Sequence, residues 1–285
     1  MSFGPNPWQQ GNWDARAAGN FIGGGAGCGL IVFTALSGVQ GTALALLMLA
    51  GVALVGIGLF CVLLELGRPM RALRVFANPR SSWMSREALA SLALFPCALA
   101  AAAGVPMAPA VAALAALVFA YCQARILLGA KGIVAWREPL LLPLLLASAL
   151  AEGGALFWLA QAWSVPESVT AWNALWLLFA VMVLARALLW RAWRARLAGR
   201  VAARALIAID GAGRWLLLVG SVLPLVLALL ATGAMAGGTG AALLAGGAAL
   251  AVFGTGAWFK LTLITRAGFN QGFALVHLPV RGVRL

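Results

Sequence analysis

ALALLMLAGVALVGIGLFCVLLEL, residues 43–66, carries one charged residue, Glu65, and that one sits beside its end. An α-helix rises about 1.5 Å per residue, so a stretch of this length covers a hydrocarbon core of about 30 Å. In lipid every backbone N–H and C=O must be satisfied within the protein, which leaves helices or a closed barrel. A barrel strand alternates apolar and polar residues over about ten positions. This run is continuously apolar, so it reads as a membrane-crossing helix.

The same pattern repeats along the chain. Apolar stretches at 20–38, 85–103, 107–129, 140–161, 169–190, 213–235 and 240–264 bring the expected count to eight. The fold class is therefore all-α: a polytopic transmembrane helical bundle of about eight helices, forming a single integral membrane domain over 1–285. The even count allows two four-helix halves, although no internal repeat is evident. Composition agrees, with 64% hydrophobic and 9% charged residues, where a soluble domain carries about 25% charged.

The formal charge of +13 could suggest a nucleic-acid partner, but the basic residues sit in the gaps between apolar runs. Arg68, Arg71, Arg74 and Arg80 follow the second run. Lys131 and Arg137 follow the fourth, and Arg191, Arg194, Arg196, Arg200 and Arg204 follow the sixth. Arg266, Arg281 and Arg284 lie in the tail, whereas the alternate connections hold only Glu167. Positive charge collects on the cytoplasmic side of membrane proteins, which predicts both termini in the cytoplasm and no nucleic-acid binding. The polar N-terminal segment lacks the basic region of a cleavable signal.

Few side chains can carry chemistry. His277 is the only histidine, so bis-histidine haem ligation within this chain is excluded. Cys28, Cys61, Cys97 and Cys122 lie in apolar runs without a CxxC pair and read as small packing residues. No metal-ligand spacing, nucleophile–base pair or phosphate-binding loop occurs. Any reaction here needs an organic cofactor or a partner subunit. GGGAGCG (Gly23 to Gly29) reads as close helix packing through small residues or as a backbone surface for a flat ring.

The most informative segment is LLELGRPMRALRVFANPRSSWMSREALAS, Leu63 to Ser91: a helix end, a basic loop and a helix start. Ser85 can cap the third helix with Glu87 in its first turn, and Glu65 can pair with Arg68. Alternatively these groups form a carboxylate–arginine cluster at the membrane boundary. Glu152 falls near the middle of the fifth run, where ionisable groups face the bundle interior. It reads as a proton-relay candidate, a neutral carboxyl or an ion-pair partner, with Lys260 as one partner.

ELGRPMRA followed by SSWMSREAL resembles the membrane-anchor subunits of dimethyl sulfoxide reductase and of the polysulfide and nitrite reductases, the NrfD-like group. NFIGGGAGCGLIVF (Asn20 to Phe33) is similar to their Gly-rich first helix. Arg125 followed by Trp136 and Pro139, and Arg266 near the last helix end, also have counterparts there. The resemblance implies a quinone-reactive anchor that exchanges electrons between membrane quinone (menaquinone or ubiquinone) and an iron–sulfur subunit. That subunit would serve a molybdenum or tungsten catalytic subunit on the basic face, at a bacterial inner membrane. The resemblance assigns quinol reaction to the positions of Arg71 and Glu87. The position of Glu65 is a histidine in the dimethyl sulfoxide reductase anchor, so the chain departs there. GIVAWREPLL (Gly132 to Leu141) and the tail from Phe269 to Gly282 resemble a branch associated with phenylacetyl-CoA:acceptor oxidoreductase.

The helix directions alone bring Asn20, Glu65, Arg71, Glu87, Arg125 and Arg266 to one membrane boundary. The expected site has Glu87 and Glu65 moving protons, and Arg71, Asn20, Tyr121, Arg125 and Trp83 contacting the quinone. Interfacial placement alone would also explain Tyr121, Arg125, Arg266 and Trp83. A transporter using Glu152 and Lys260, and a passive anchor without a quinone site, are the competing expectations.

Overall fold

A computed structural model of the chain describes residues 7–65, 69–161, 169–227 and 239–272. Among the described residues eight helices are long and apolar enough to cross a membrane, and the chain is a multi-pass membrane protein. They are α1 (Ala15–Ser37), α2 (Gly41–Glu65), α3 (Trp83–Ala102), α4 (Ala108–Gly129), α5 (Leu141–Gln161), α6 (Val169–Leu197), α7 (Ala203–Leu217) and α8 (Thr239–Thr265). A π-helical turn, Leu218–Val222, extends α7, whose apolar span reaches Leu227. A 3₁₀ helix, Pro69–Ala77, follows α2, and a single helical turn, Val134–Arg137, precedes α5.

Two four-helix sets emerge from the packing. In the first, α1, α2, α3 and α4 form a closed ring, each touching the next, with α4 returning to α1. In the second, α5, α6, α7 and α8 do the same, with α8 returning to α5. Contacts of α1 with α5 and α8, and of α4 with α5, join the sets. The apolar segments of α1 and α5 are each 72% buried, against 28% to 44% for the other six, so these two helices form the axis of the bundle.

Glycine makes that axis. A Cβ at Gly29 would collide with the Ala149 carbonyl of α5, and one at Gly153 with the Gly29 backbone. On the other side of α1, Gly23 and Gly27 lie against the Leu54 and Gly51 carbonyls of α2. Lipid supplies no hydrophobic drive between helices, so close backbone approach through small residues supplies the attraction instead. The packing explanation of GGGAGCG therefore accounts for these glycines.

The described ends of the chain meet. Gln10 N–H donates to the Gly268 carbonyl (2.8 Å), and Asn270 N–H to that of Trp8 (3.0 Å). The long connections rich in arginine lie at this same end of the bundle, hereafter the arginine-rich end. Ion pairs tie it together. Glu138, buried beside the turn before α5, accepts from Arg200 (2.8 Å) and Arg196 (3.3 Å). Arg194 of α6 grips Asp210 of α7 through two hydrogen bonds (2.5 and 2.7 Å).

The helix ends differ from the sequence expectation at the start of α1, which begins at Ala15 behind an Asp14 cap rather than near 20, at the junction of α6 and α7, and at the cap of α3. The seventh span begins at Ala203 rather than near 213, and the sixth runs on to Leu197. Charge marks this region as loop in the sequence, but Arg194 and Asp210 neutralise each other across the helix pair, so both helices continue past their apolar segments. The third helix is capped by Ser82, whose hydroxyl accepts from Ser85 N–H (3.3 Å), and not by Ser85. Glu87 consequently lies beyond the first turn, on the buried side of α3.

Candidate functional site

The cap at Ser82 sets the phase of α3. Ser85, Glu87 and Ser91 face inward, while Met84 and Leu92 face out. Glu87 Oε1 accepts from Asn20 Nδ2 of α1 (3.1 Å) and, at longer range, from Gln123 Nε2 of α4 (3.4 Å). Gln123 Nε2 also donates to the Asn20 backbone carbonyl (2.9 Å). Two buried amide side chains, from α1 and α4, thus converge on one buried carboxylate of α3. Among the described residues no donor reaches its other oxygen, and Asn20 Oδ1 has no hydrogen-bond partner.

Asn20 and Glu87 form the floor of a cleft of about 240 Å³ at the arginine-rich end, with Gln123 behind them. Asn20, Phe21 and Glu87 lie deepest, and Trp13, Glu65 and Met84 stand at its partly exposed rim. The structure therefore brings together three of the expected site residues, Asn20, Glu65 and Glu87. Gln123 is not among the expected ones. A lone glutamine inside FAYCQARILL gives a weak signal, and only the helix phase reveals that it points at α1 and not outward.

Other expected residues lie elsewhere. Residues 123 and 125 stand about 200° apart around α4, since each residue turns the helix about 100°. Arg125 therefore projects away from the cleft. Its guanidinium sits 4.5 Å from the centre of the Trp83 ring, and Arg86 packs on the same ring at 4.1 Å. Tyr121 meets Trp83 edge-on at 5.8 Å, with its hydroxyl 3.5 Å from Arg125 Nη1. Trp83, Tyr121 and Arg125 thus form an outer cluster separate from the Glu87 cleft. Arg266 stacks on exposed Trp258 at 5.2 Å. Arg71 lies in the 3₁₀ helix with its side chain outside the described residues; Arg68, Glu167 and His277 lie outside them entirely.

A second polar cluster occupies the axis. Glu152 of α5 is fully buried and pairs with Lys260 of α8 (2.8 Å), itself 2% exposed. Lys260 Nζ also donates to the Phe21 carbonyl of α1 (2.9 Å). The structure pairs Glu152 with Lys260, the partner the sequence offers for it. Arg186 of α6, not among the expected residues, is fully buried and bonds α8 one helical turn from Gly256, against which the Glu152 carboxylate packs. Arg186 donates to the carbonyl of Gly220, in the π-turn of α7, and to that of Val252 (3.1 Å). Such π-bulges free carbonyls from the helical ladder and recur at functional sites. The signal is legible in the sequence: an arginine inside the apolar run LWLLFAVMVLARALLW.

Adjacent residues of α1 connect the two clusters. Asn20 belongs to the Glu87 cleft through its side chain and carbonyl, and the carbonyl of Phe21 belongs to the Lys260–Glu152 pair.

No protein-family model matches the chain, and no curated protein matches it.

Proposed function

We propose that this chain is the membrane anchor and quinone-reactive subunit of a multi-subunit oxidoreductase, passing electrons between membrane quinone and an iron–sulfur subunit. A molybdenum or tungsten catalytic subunit would complete the complex. The single observation that carries this reading is the cleft floored by Glu87 and Asn20. Its volume of about 240 Å³ lies just below the usual range for small-molecule pockets, about 300–1,000 Å³. That suits a head group with its tail left in lipid. The residues fit such a ring: apolar walls from Trp13 and Phe21, an unpartnered buried acceptor on Asn20, and a carboxylate with one free oxygen.

A bound quinone would supply the two-electron, two-proton chemistry; the protein supplies position and proton transfer. The Asn20 amide orients Glu87 by holding Oε1, which turns Oε2 over to the ligand. Glu87 can then give or take a proton at Oε2. Glu65 at the rim carries protons between Glu87 and the aqueous boundary. Electron direction follows from the partner: a partner that oxidises its substrate requires quinone as acceptor, and one that reduces it requires quinol.

Glu87→Gln tests this. The amide keeps the shape and an oxygen for Asn20 but cannot exchange the proton. In the purified complex, quinone-linked turnover should fall about 100-fold, the lower limit for loss of a general acid–base group. Turnover with an artificial dye that bypasses quinone should persist. Unchanged quinone-linked turnover in an assembled complex would favour a passive anchor.

The axial Glu152–Lys260–Arg186 cluster favours one competing reading, a proton-coupled transporter, because buried charges in membrane helices mark ion paths. Purification from the native membrane separates the two. Co-purifying iron, molybdenum or tungsten, and quinone would support the redox complex. A stable chain that moves protons alone in vesicles would support the transporter.

A further inference from the structure

The outer cluster on α3 and α4 has the chemistry of a second binding site. Arg86 and Arg125 both pack on the Trp83 ring, at 4.1 and 4.5 Å from its centre. Arg86 is fixed from behind, with Nε donating to the Pro79 carbonyl and Nη2 to that of Arg80, both at 2.8 Å. Arg125 is held by its contact with the Tyr121 hydroxyl, and its Nε is buried without a partner. Both guanidiniums are therefore positioned, and each keeps N–H groups uncommitted.

Among the described residues neither has a counter-charge. The protein contains seven carboxylate side chains. Asp14, Glu138, Glu152 and Asp210 are engaged by Arg16, by Arg196 with Arg200, by Lys260 and by Arg194, respectively. Glu65 and Glu87 belong to the cleft on the other side of the helix pair. Glu167 lies outside the described residues. Two ordered cations beside one indole, with no anion of the described residues against them, define a site for an external one.

The face below the arginines identifies its other half. Leu114, Val118, Tyr121 and Arg125 follow one another at helical spacing along one face of α4. Leu114 and Val118 are exposed and Tyr121 less so, and the face runs from aliphatic to phenol to guanidinium toward the arginine-rich end. An occupant must therefore be anionic at the boundary and apolar in the bilayer.

The geometry points to a specific site for an anionic phospholipid: Arg86 and Arg125 hold its phosphate, Trp83 and Tyr121 set its depth, and its acyl chains lie against Leu114 and Val118 of α4. Basic groups near a membrane surface attract anionic lipid by about 1 kcal/mol each. Fixing two of them on one ring adds selectivity for a headgroup over bulk lipid.

The test uses the full chain, purified in mild detergent and placed in nanodiscs of phosphatidylcholine and phosphatidylglycerol in equal amounts. Lipid retained after re-extraction is counted by mass spectrometry. Wild-type protein should retain phosphatidylglycerol in excess, and R86Q/R125Q should bind it about thirtyfold more weakly, the combined effect of two surface arginines. If the double variant does not fold, R125Q alone should weaken binding about fivefold. R204Q, at the exposed start of α7, should leave the excess intact. Equal retention by wild type and R86Q/R125Q would overturn the site, as would an equal loss in R204Q. Saturable binding of inorganic phosphate with no preference for phosphatidylglycerol would assign the arginines to a free anion and overturn the lipid.

Discussion

At the scale of single residues, most described charges are paired or lie at a boundary, and buried Arg186 is held by backbone carbonyls instead. Glu152 and Lys260 show why the pairing matters. Removing one member of a buried pair strands the other in a medium that solvates it poorly, at about 3–5 kcal/mol. Glu152→Leu and Lys260→Met should therefore each lower the unfolding temperature in detergent sharply. The double variant E152L/K260M should lose less than either single change, because no unpaired charge remains from the pair. Measuring all three by thermal unfolding closes the cycle. Legibility at this scale is uneven. Glu87, Asn20 and Glu65 can be grouped from sequence because helix direction alone brings them to one boundary. Trp83, Tyr121 and Arg125 share that boundary but not that face, and depth in the membrane carries no information about which way a side chain points. The role of Gln123 becomes visible only once the helices have neighbours, whereas Arg186 stands out in the sequence as a charge inside an apolar run.

At the scale of the helix, glycine decides what can touch. Gly29 and Gly153 let α1 and α5 meet backbone to backbone, so Gly29→Leu must separate the axis or distort it. Overpacking of this kind costs about 1–3 kcal/mol or more, and a lower unfolding temperature with poorer yield is expected. Gly254 of α8 provides the contrast, since a Cβ there meets nothing within 4 Å. Gly254→Ala in the same assay should raise stability by about 0.5–1 kcal/mol through helix propensity alone. Apolar length locates all eight helices, because a lipid core imposes a minimum run. It misplaces the start of α7 because charge reads as loop. Asp210 and Arg194 neutralise each other, and a helix can carry such a pair beyond the lipid core.

For the whole molecule, the even number of spans and the contact between residues 8–10 and 268–270 place the two described ends together. The arginines cluster at that end, so reporters fused to either terminus should both report the cytoplasmic side, as the positive-inside rule requires. Opposite signals from the two fusions would contradict an eight-span topology. The division into two four-helix rings is compatible with the span count but cannot be derived from it. It depends on which helices return to close each ring, and hydropathy does not record neighbours.

The central place of α1 has a consequence for how the protein is made. Ribosomes deliver α1 before every helix that surrounds it, and the partner that caps its Phe21 carbonyl, Lys260, belongs to the last helix. During synthesis the glycine-lined surfaces of α1 must wait in the bilayer for α5 and α8. Nascent chains halted before α8 would hold Glu152 without its cation, an intermediate that membrane quality-control proteases could recognise by that stranded acid.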